Sequence, residues 1–399
     1  MDNKERRIMK NKNKYLFKKL YVIGITGTNG KTTISTLVYK YLRYNQIGAT
    51  LIGTNGIYIN DVFIETINTT PSMNIIYNIL KQSYEQGIKY IIMEVSSHAI
   101  VQKRIYGIRF NLKLLTNVTI DHLDYHKTFK DYRKTKLKFI NSGLNKQKVI
   151  INNDMTEIDY FNKKIRKEKE TYGFLNNSVY QGIAMKLYED YSKFIFRFDD
   201  NDYLIKTNLL GDFNCSNILG FLSILININE FNYVNIQSFF KQTIEIDGRM
   251  KVLKSKNNKI YIDYAHTPDG MDKVLNYLNK IKKDKLYVLF GCGGNRDKSK
   301  RPLMMNTACK YADKVIVTSD NPRNENPINI IEDITFNFKK EKYIKISDRK
   351  KAIKYAISML KNNDLLAILG RGNDDYYYIN DEKIYLNDYK WAKEVLNNE

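Results

Sequence analysis

Residues 24 to 33, "GITGTNGKTT", place a glycine-rich turn, a lysine and two hydroxyls in the order that phosphate chemistry uses. Gly27 and Gly30 let backbone N–H groups turn toward an anion, Lys31 neutralises phosphate charge, and Thr32 offers a hydroxyl to Mg²⁺ at a helix N-terminus. Thr28, Asn29 and Thr33 complete the candidate nucleotide-phosphate set. The strict pattern, Gly, four residues, then Gly-Lys-Ser/Thr, is missed by one position, because Ile25 stands where the first glycine belongs. A glycine-rich turn with a solvated lysine is the bland alternative. A strand before the loop and a helix after it favour phosphate binding.

Those flanking elements are legible. "LYVIGIT", "KYIIMEV", "LKLLTNV" and "KVIINN" are short β-branched runs spaced for intervening helices, the mark of a mostly parallel sheet covered on both faces. After Lys31, Ile34, Leu37, Val38 and Leu42 follow helical spacing. From about residue 250 a second series begins: "KIYIDYA", "KLYVLFG", "KVIVTS", "YIKIS" and "DLLAILG". It alternates with helical stretches such as "DGMDKVLNYLNKIKK", where Met271, Val274, Leu275, Leu278 and Ile281 share a face. "YSKFIFRF" and "DYLIKTNLL" read as antiparallel strands attached to the first domain. The expected fold class is α/β, a P-loop ATPase domain with a mostly parallel sheet followed by a Rossmann-like α/β domain. The expected boundaries are a basic extension over 1–19, a central domain over 20–247 and a C-terminal domain over 248–399.

Composition narrows the function. Lys and Arg total 65 against 43 acids, a net charge of +22, but the lysines are spread over every segment and no nucleic-acid reading module accompanies them. A solvated surface is expected, without nucleic-acid partners. Three scattered cysteines exclude a disulfide framework and a structural zinc site, and no apolar run has the length of a membrane span. The chain is expected in the cytoplasm.

Later blocks add a resemblance. "NTTPS" (68–72), "MEVSSHAIVQKR" (93–104), "TNVTIDHLDYHKTFKDYRKTK" (116–136), "GDFNCSN", "DGRM", "IDYAHTPDG", "FGCGGNRDKSKRPLM", "TSDNPRNENP" and "LGRGNDDYY" occur in this order. Together with the glycine loop they resemble the Mur ligase family, the ATP-dependent amide-forming enzymes of peptidoglycan assembly, over residues 20 to about 380. The order is that of the members that add the third residue of the stem peptide. The resemblance implies transfer of the γ-phosphoryl of ATP to a glutamyl carboxylate and attack by an amine, with Mg²⁺ offsetting the repulsion between anionic oxygens.

By the same resemblance, Lys31 and Thr32 hold phosphates and a first metal, Glu94 and His122 help hold a second, and Lys136 is a carboxylated lysine. In isolation Lys136 reads as a surface lysine of a lysine-rich helix. Asn214 and Asn217 correspond to adenine-side residues, Arg249 to a phosphate-binding arginine and Asp263 to a ribose-binding acid. Asn68, Thr69, Thr70, Ser96, Gln102 and Arg104 correspond to the acceptor site. Asp320, Asn321 and Arg323 of "DNPR", with Arg296, Gly370 and Asp374, correspond to the site for meso-diaminopimelate or a similar diamino acid. Arg323 is matched to the distal carboxylate. Where the family usually has Gly-Lys-Gly-His-Glu, this chain reads Gly370-Arg371-Gly372-Asn373-Asp374, and Asp374 is one methylene shorter. Members acting on UDP-linked precursors carry a further domain before the loop, in whose place stands the basic extension. The expectations are an acceptor without UDP, a partner protein that supplies the uridine grip, or a shortened copy. A nucleotide-binding subunit without turnover is the reading from another class.

Overall fold

Apolar runs that must be covered on both faces end up side by side at the centre of a sheet. The computed structural model describes residues 3–143 and 147–398. Two compact units are present, one of Met1–Thr119, His126–Asn208 and Phe213–Ile244, the other of Ile120–Tyr125, Leu209–Asp212 and Glu245–Glu399. The strands of the first are β1 (Tyr21–Thr26), β2 (Ala49–Gly53), β3 (Gly56–Ile59), β4 (Val62–Ile64), β5 (Tyr90–Glu94), β6 (Leu112–Leu115), β7 (Lys148–Asn152), β8 (Lys169–Gly173), β9 (Tyr180–Leu187), β10 (Ser192–Phe198) and β11 (Asn201–Thr207). Their order is β11-β10-β9-β8-β7-β6-β1-β5-β2-β3-β4. β1 lies between β5 and β6 and is parallel to both, with Ile23 opposite Ile92 on one side and Leu112 on the other. The expected antiparallel pair is β10 and β11, in register from Ser192↔Thr207 to Phe198↔Asn201.

Helix Lys31–Tyr44 follows the glycine loop and buries Ile34, Leu37, Val38 and Leu42 completely, the stripe its spacing predicts. Helix Asp212–Asn227 is covered almost all round. The basic start of the chain is folded into this unit. Helix Asn3–Lys12 leads to a 3₁₀ turn, Lys14–Lys18, whose Leu16 is fully buried in the core with Leu20, Val22 and Leu80. No helix among the described residues is long and apolar enough to cross a membrane, and all three cysteines are free.

The second unit is built on β12 (Lys251–Ser255), β13 (Asn258–Asp263), β14 (Leu286–Phe290), β15 (Lys314–Val317), β16 (Tyr343–Lys345) and β17 (Leu365–Leu369), in the order β12-β13-β17-β14-β15-β16. Among the described residues of this six-stranded sheet only the β12–β13 pair is antiparallel. Helix Pro268–Ile281 starts with Thr267 accepting the Gly270 N–H at 3.1 Å and Pro268 in the first turn, and buries Met271, Val274, Leu275 and Leu278. A small hairpin, β18 (Tyr376–Ile379) and β19 (Glu382–Tyr385), follows β17. In both units the ends of parallel strands present the loops that the sequence marked for chemistry, as open α/β sheets do.

Candidate active site

The glycine loop leaves β1 at Thr26 and is closed by backbone conformations that side chains disfavour. Gly27 has φ +150° and Gly30 φ +87°, and a Cβ on Gly30 would meet Asn217 Oδ1 at 2.4 Å. The end of β6 holds the loop from beside: the Thr28 N–H donates to Asn117 O (2.8 Å), the Asn29 N–H to Asn117 Oδ1 (3.0 Å), and Thr116 Oγ1 to Asn29 O (2.6 Å). Lys31 Nζ donates to Gly27 O at 2.9 Å and to Thr28 O at 2.7 Å. Thr32 and Thr33 are buried in the first helical turn. Asn217, expected on the adenine side with Asn214, donates to Asn214 Oδ1 (3.2 Å) and lies directly against Gly30.

Glu94 ends β5 next to the loop and is only 1 % exposed. Its carboxylate accepts from Thr32 Oγ1 (3.0 Å), Ser35 Oγ (3.4 Å), Thr54 Oγ1 (3.0 Å) and the Thr54 N–H (3.0 Å). Gly53 makes room for it, since a Cβ there would stand 2.3 Å from Glu94 Oε1. Two of the expected acceptor residues lie beside Glu94, Thr69 through Thr54 and Thr70 through the Glu94 main-chain carbonyl. Thr54 Oγ1 and Thr69 Oγ1 are 3.0 Å apart, Thr70 Oγ1 donates to Glu94 O (2.8 Å) and accepts the Ser96 N–H (3.0 Å). Arg104 reaches Thr70 O (2.7 Å) and Gln102 Oε1 (2.8 Å). Asn68 is exposed, in a turn whose carbonyl accepts Thr66 Oγ1 at 3.1 Å.

Lys136 is not a surface lysine. Helix Phe129–Asn141 turns it inward with Tyr132, Phe139 and Ile140, and it is 1 % exposed. Its Nζ donates to Gly27 O at 2.9 Å and sits 4.7 Å from the centre of the Tyr132 ring, whose hydroxyl is 3.0 Å from Thr28 Oγ1. Thr128 caps the start of this helix through the Asp131 N–H (3.1 Å). At its end the buried Lys113 donates to Phe139 O (2.7 Å) and Ser142 O (2.6 Å), satisfying carbonyls that the helix leaves open. Burial, with Lys167 nearby, pulls the Lys113 ammonium down to about 7.

The remaining expected residues belong to the second unit. His122, with φ +56°, pairs through Nε2 with Asp121 Oδ2 at 3.3 Å. Burial alone would raise the Asp121 carboxyl, but His122, His266, Lys300 and the His122 N–H outweigh it and hold it at about 2. Asp263 ends β13 and accepts the Met250 and Ala265 N–H groups, each at 2.8 Å; burial pushes its carboxyl up against Arg249 and those two donors. Arg249 lies over the Tyr264 ring at 4.5 Å. Beyond β15, Arg323 donates to Gly294 O at 2.7 Å, so the loops after β14 and β15 interlock. Arg296 is exposed, 3.6 Å from Asp124. Gly370 adjoins Asp320, whose Oδ2 would be 2.5 Å from a Cβ there. Asp374 is exposed, whereas Arg371, in the place of the family's usual lysine, is buried and bonds to Asp320 O (3.2 Å) and Leu386 O (2.8 Å).

Sequence reasoning passed over Ser35, Thr54, Thr116, Asn117 and Tyr132, which position the loop and Glu94. It also passed over the fully buried Arg349–Asp388 pair (2.6 Å), in which Arg349 further donates to Ser319 O and Leu369 O and so ties the ends of β15 and β17 together. "LKLLTN", a polar pair directly after a strand, was the available signal for Thr116 and Asn117.

Residues 25–225 match the family model described as the Mur ligase middle domain, and residues 248–372 the one described as the Mur ligase, glutamate ligase domain. The chain belongs to the Mur ligase family. It is accordingly an ATP-dependent amide ligase. The UDP-N-acetylmuramoyl-L-alanyl-D-glutamate–2,6-diaminopimelate ligase of Aquifex aeolicus is 41% identical over 393 residues, covering 95% of this chain and 78% of that protein. The UDP-N-acetylmuramyl-tripeptide synthetase 2 of Oceanobacillus iheyensis is 36% identical over 384 residues, with the same coverage. Among solved structures, a UDP-N-acetylmuramoyl-L-alanyl-D-glutamate–2,6-diaminopimelate ligase superposes with a TM-score of 0.68 at 29% identity, covering 98% of this chain and 82% of its own. A Mycobacterium tuberculosis folylpolyglutamate synthase, complexed with ADP and AMPPCP, shares the fold at 14% identity, with a TM-score of 0.74 over 92% of this chain and 91% of its own.

Proposed function

We propose that this Mur ligase joins meso-diaminopimelate, or a diamino acid of similar shape, to the glutamyl carboxylate of an acceptor such as UDP-N-acetylmuramoyl-L-alanyl-D-glutamate. The observation that carries the reading is the Glu94 carboxylate, which is shared by Thr32 of the phosphate loop and by Thr54, next to Thr69 and Thr70. One anion thus borders both the nucleotide-phosphate residues and the residues matched to the acceptor. That adjacency is what transfer of a phosphoryl group to a carboxylate requires.

The donor set around Glu94 suits Mg²⁺, which takes one or two carboxylates and hydroxyls and keeps phosphate and water in its other positions. Among the described residues there is no group of three or more His, Cys, Asp or Glu that could hold a metal ion. Within the first unit, Thr32 and Glu94, which share a hydrogen bond, would hold Mg²⁺; His122, matched to a second metal, belongs to the second unit. When bound, Mg²⁺ supplies charge compensation between phosphate and carboxylate oxygens. By the resemblance Lys136 would become a carbamate: a neutral amine adds CO₂ and releases a proton, and the remaining N–H can keep the bond to Gly27 O. In the first unit Lys31 and the loop amides would hold phosphates, and Arg104 and Thr70 would orient the acceptor; in the second, Arg249 corresponds to a phosphate-binding arginine and Arg323 would receive the distal carboxylate of the amine. The attacking amine then displaces phosphate from the acyl phosphate and forms the amide.

Support for the amine comes from "DNPR" and from the diaminopimelate ligases among the relatives. Mass spectrometry of the product, together with amine-dependent phosphate release, tests the reading. UDP-linked and free dipeptide are offered separately, each with diaminopimelate, lysine or no amine. A product heavier by one diaminopimelate residue is expected; phosphate release indifferent to every amine would overturn it.

A further inference from the structure

Arg323 is a non-glycine residue with φ +52°, a conformation that persists only where its surroundings over-determine it. Here the surroundings are the hairpin β18–β19. The Arg323 N–H donates to Tyr378 O at 2.8 Å, and Arg323 O accepts the Asn380 N–H at 2.6 Å, so the residue is bonded on both sides of its α-carbon. Ile379 forms a parallel bridge with it. Asn321 Oδ1 accepts the Tyr378 N–H at 3.1 Å. Two residues of "DNPR" are therefore fastened to a strand edge some fifty residues later in the chain.

The hairpin is itself anchored. Its base is closed by the Leu386 N–H to Asp375 O bond (2.8 Å), and the buried Arg371 bonds to Leu386 O while its guanidinium lies 4.9 Å from the Tyr377 ring. The Tyr376 and Tyr385 rings meet edge to face across the two strands, and Lys383 covers Tyr376 at 3.8 Å. On the other side Gly294 O accepts from the Arg323 guanidinium, and the Gly294 N–H donates to Asn321 O at 2.9 Å. Burial and then the neighbouring Arg296 pull the Arg323 guanidinium down, against Asp320 and Asp124, which favour its charge.

We propose that the β18–β19 hairpin is the positioning element for amine selection: it fixes the backbone of Arg323 and thereby sets where an amino acid must carry its second, distal carboxylate. Asn321 acts as a positioning residue through its bond to the hairpin. This rests on the reading of the amine site given above. A planar fork recognises a carboxylate only in a narrow range of positions, so a backbone freed to relax loses discrimination before it loses catalysis.

Two variants test it. In the first, residues 376–385 are replaced by Asn-Gly, a two-residue turn suited to the already closed Asp375/Leu386 base. In the second, Asn321→Ala removes the acceptor for Tyr378. The readout is the ratio of kcat/KM for diaminopimelate over lysine, with the KM for ATP and thermal stability alongside. The ratio should fall about tenfold in both, through the KM for diaminopimelate, with the KM for ATP unchanged. An unchanged ratio, or equal losses for both amines and ATP, overturns the proposal. Because Asn321 is itself matched to the amine site, a fallen ratio in Asn321→Ala counts for the hairpin only together with faster hydrogen exchange at the Arg323 amide; should the excision variant fail to fold, unchanged exchange in Asn321→Ala overturns the proposal. If the parent chain uses neither amine, the functional reading falls, and hydrogen exchange at the Arg323 amide then decides for the hairpin: faster in Asn321→Ala if the hairpin holds that backbone, unchanged if it does not.

Discussion

Gly53→Ala separates the positioning of Glu94 from the stability of the sheet. A Cβ at residue 53 would stand 2.3 Å from Glu94 Oε1, where ordinary contact begins at 3.4 Å, so the carboxylate has to retreat by 3.4 − 2.3, or about 1 Å. The backbone of Gly53 is ordinary strand, so alanine brings no conformational strain of its own. What gives way is the end of a side chain, and the bonds from Thr32, Thr54 Oγ1 and the Thr54 N–H, each 3.0 Å, lengthen together. Overpacking of this kind costs about 1 kcal/mol when a side-chain end can move. In a unit of this size that lowers Tm by about 2–4 °C. A displacement of about 1 Å at a phosphoryl-transfer site costs about 100-fold in rate. Amine-dependent phosphate release over a Mg²⁺ titration, with thermal unfolding of the same preparations, measures both. Turnover indistinguishable from that of the parent, in a variant whose Tm has fallen as expected, would refute the role given to Glu94.

The other predictions rest on single groups. Glu94→Gln keeps an acceptor for Thr54 and should leave Tm without metal nearly unchanged while abolishing the extra thermal stabilisation that Mg²⁺ gives with ATP; a retained Mg²⁺ increment would move the ion elsewhere. Lys136→Ala should abolish turnover and regain part of it with added short carboxylates, and full activity in the variant would remove the carbamate. Arg323→Ala should raise the KM for diaminopimelate far more than that for ATP; equal effects speak against a role in selection. His266 is held below its ordinary 6.5, first by burial and then by Lys300. The unfolded chain therefore binds a proton that the folded one resists, so its contribution is intact above 6.5 and is lost as pH falls below it. Thermal unfolding between pH 7.5 and 5 should show a smaller acid loss in His266→Asn than in the parent, and identical slopes would sink the assignment.

What could be read from the sequence was what repeats locally. Ile34, Leu37, Val38 and Leu42 declare their helix by spacing, and the β-branched runs declare strands that are buried on both faces. Lys136 carried a legible signal that its lysine-rich surroundings hid: Tyr132, Lys136, Phe139 and Ile140 fall at i, i+4, i+7 and i+8, which puts the lysine on the apolar stripe. Glu94 was recognisable, but its partners were not. Thr32, Ser35 and Thr54 meet it only because β5 lies between β1 and β2, an order that no local pattern encodes. Nor could spacing show that residues 120–125, with His122, pack into the second unit, or that Arg349 finds Asp388 thirty-nine residues on.

The hydrogen-bonding of Glu94 bears on why the site is built as it is. A carboxylate removed from water is costly unless it is compensated, and the usual compensation is an arginine or lysine, as Asp388 receives from Arg349. The donors to Glu94 described above are instead three hydroxyls and one amide, which satisfy its lone pairs without cancelling its charge. The two lysines of the neighbouring loop region, Lys31 and Lys136, both donate to the same carbonyl, Gly27 O. Glu94 is thus held among hydroxyl and amide donors, while the Gly27 carbonyl accepts from both lysines. A carboxylate held this way is preorganised for a reaction in which charge must be gathered and redistributed among phosphate, metal and carboxylate, because its hydrogen-bond donors are neutral hydroxyls and an amide. A direct Glu94 ion pair would have made a more stable sheet edge and left the carboxylate less able to take a divalent ion.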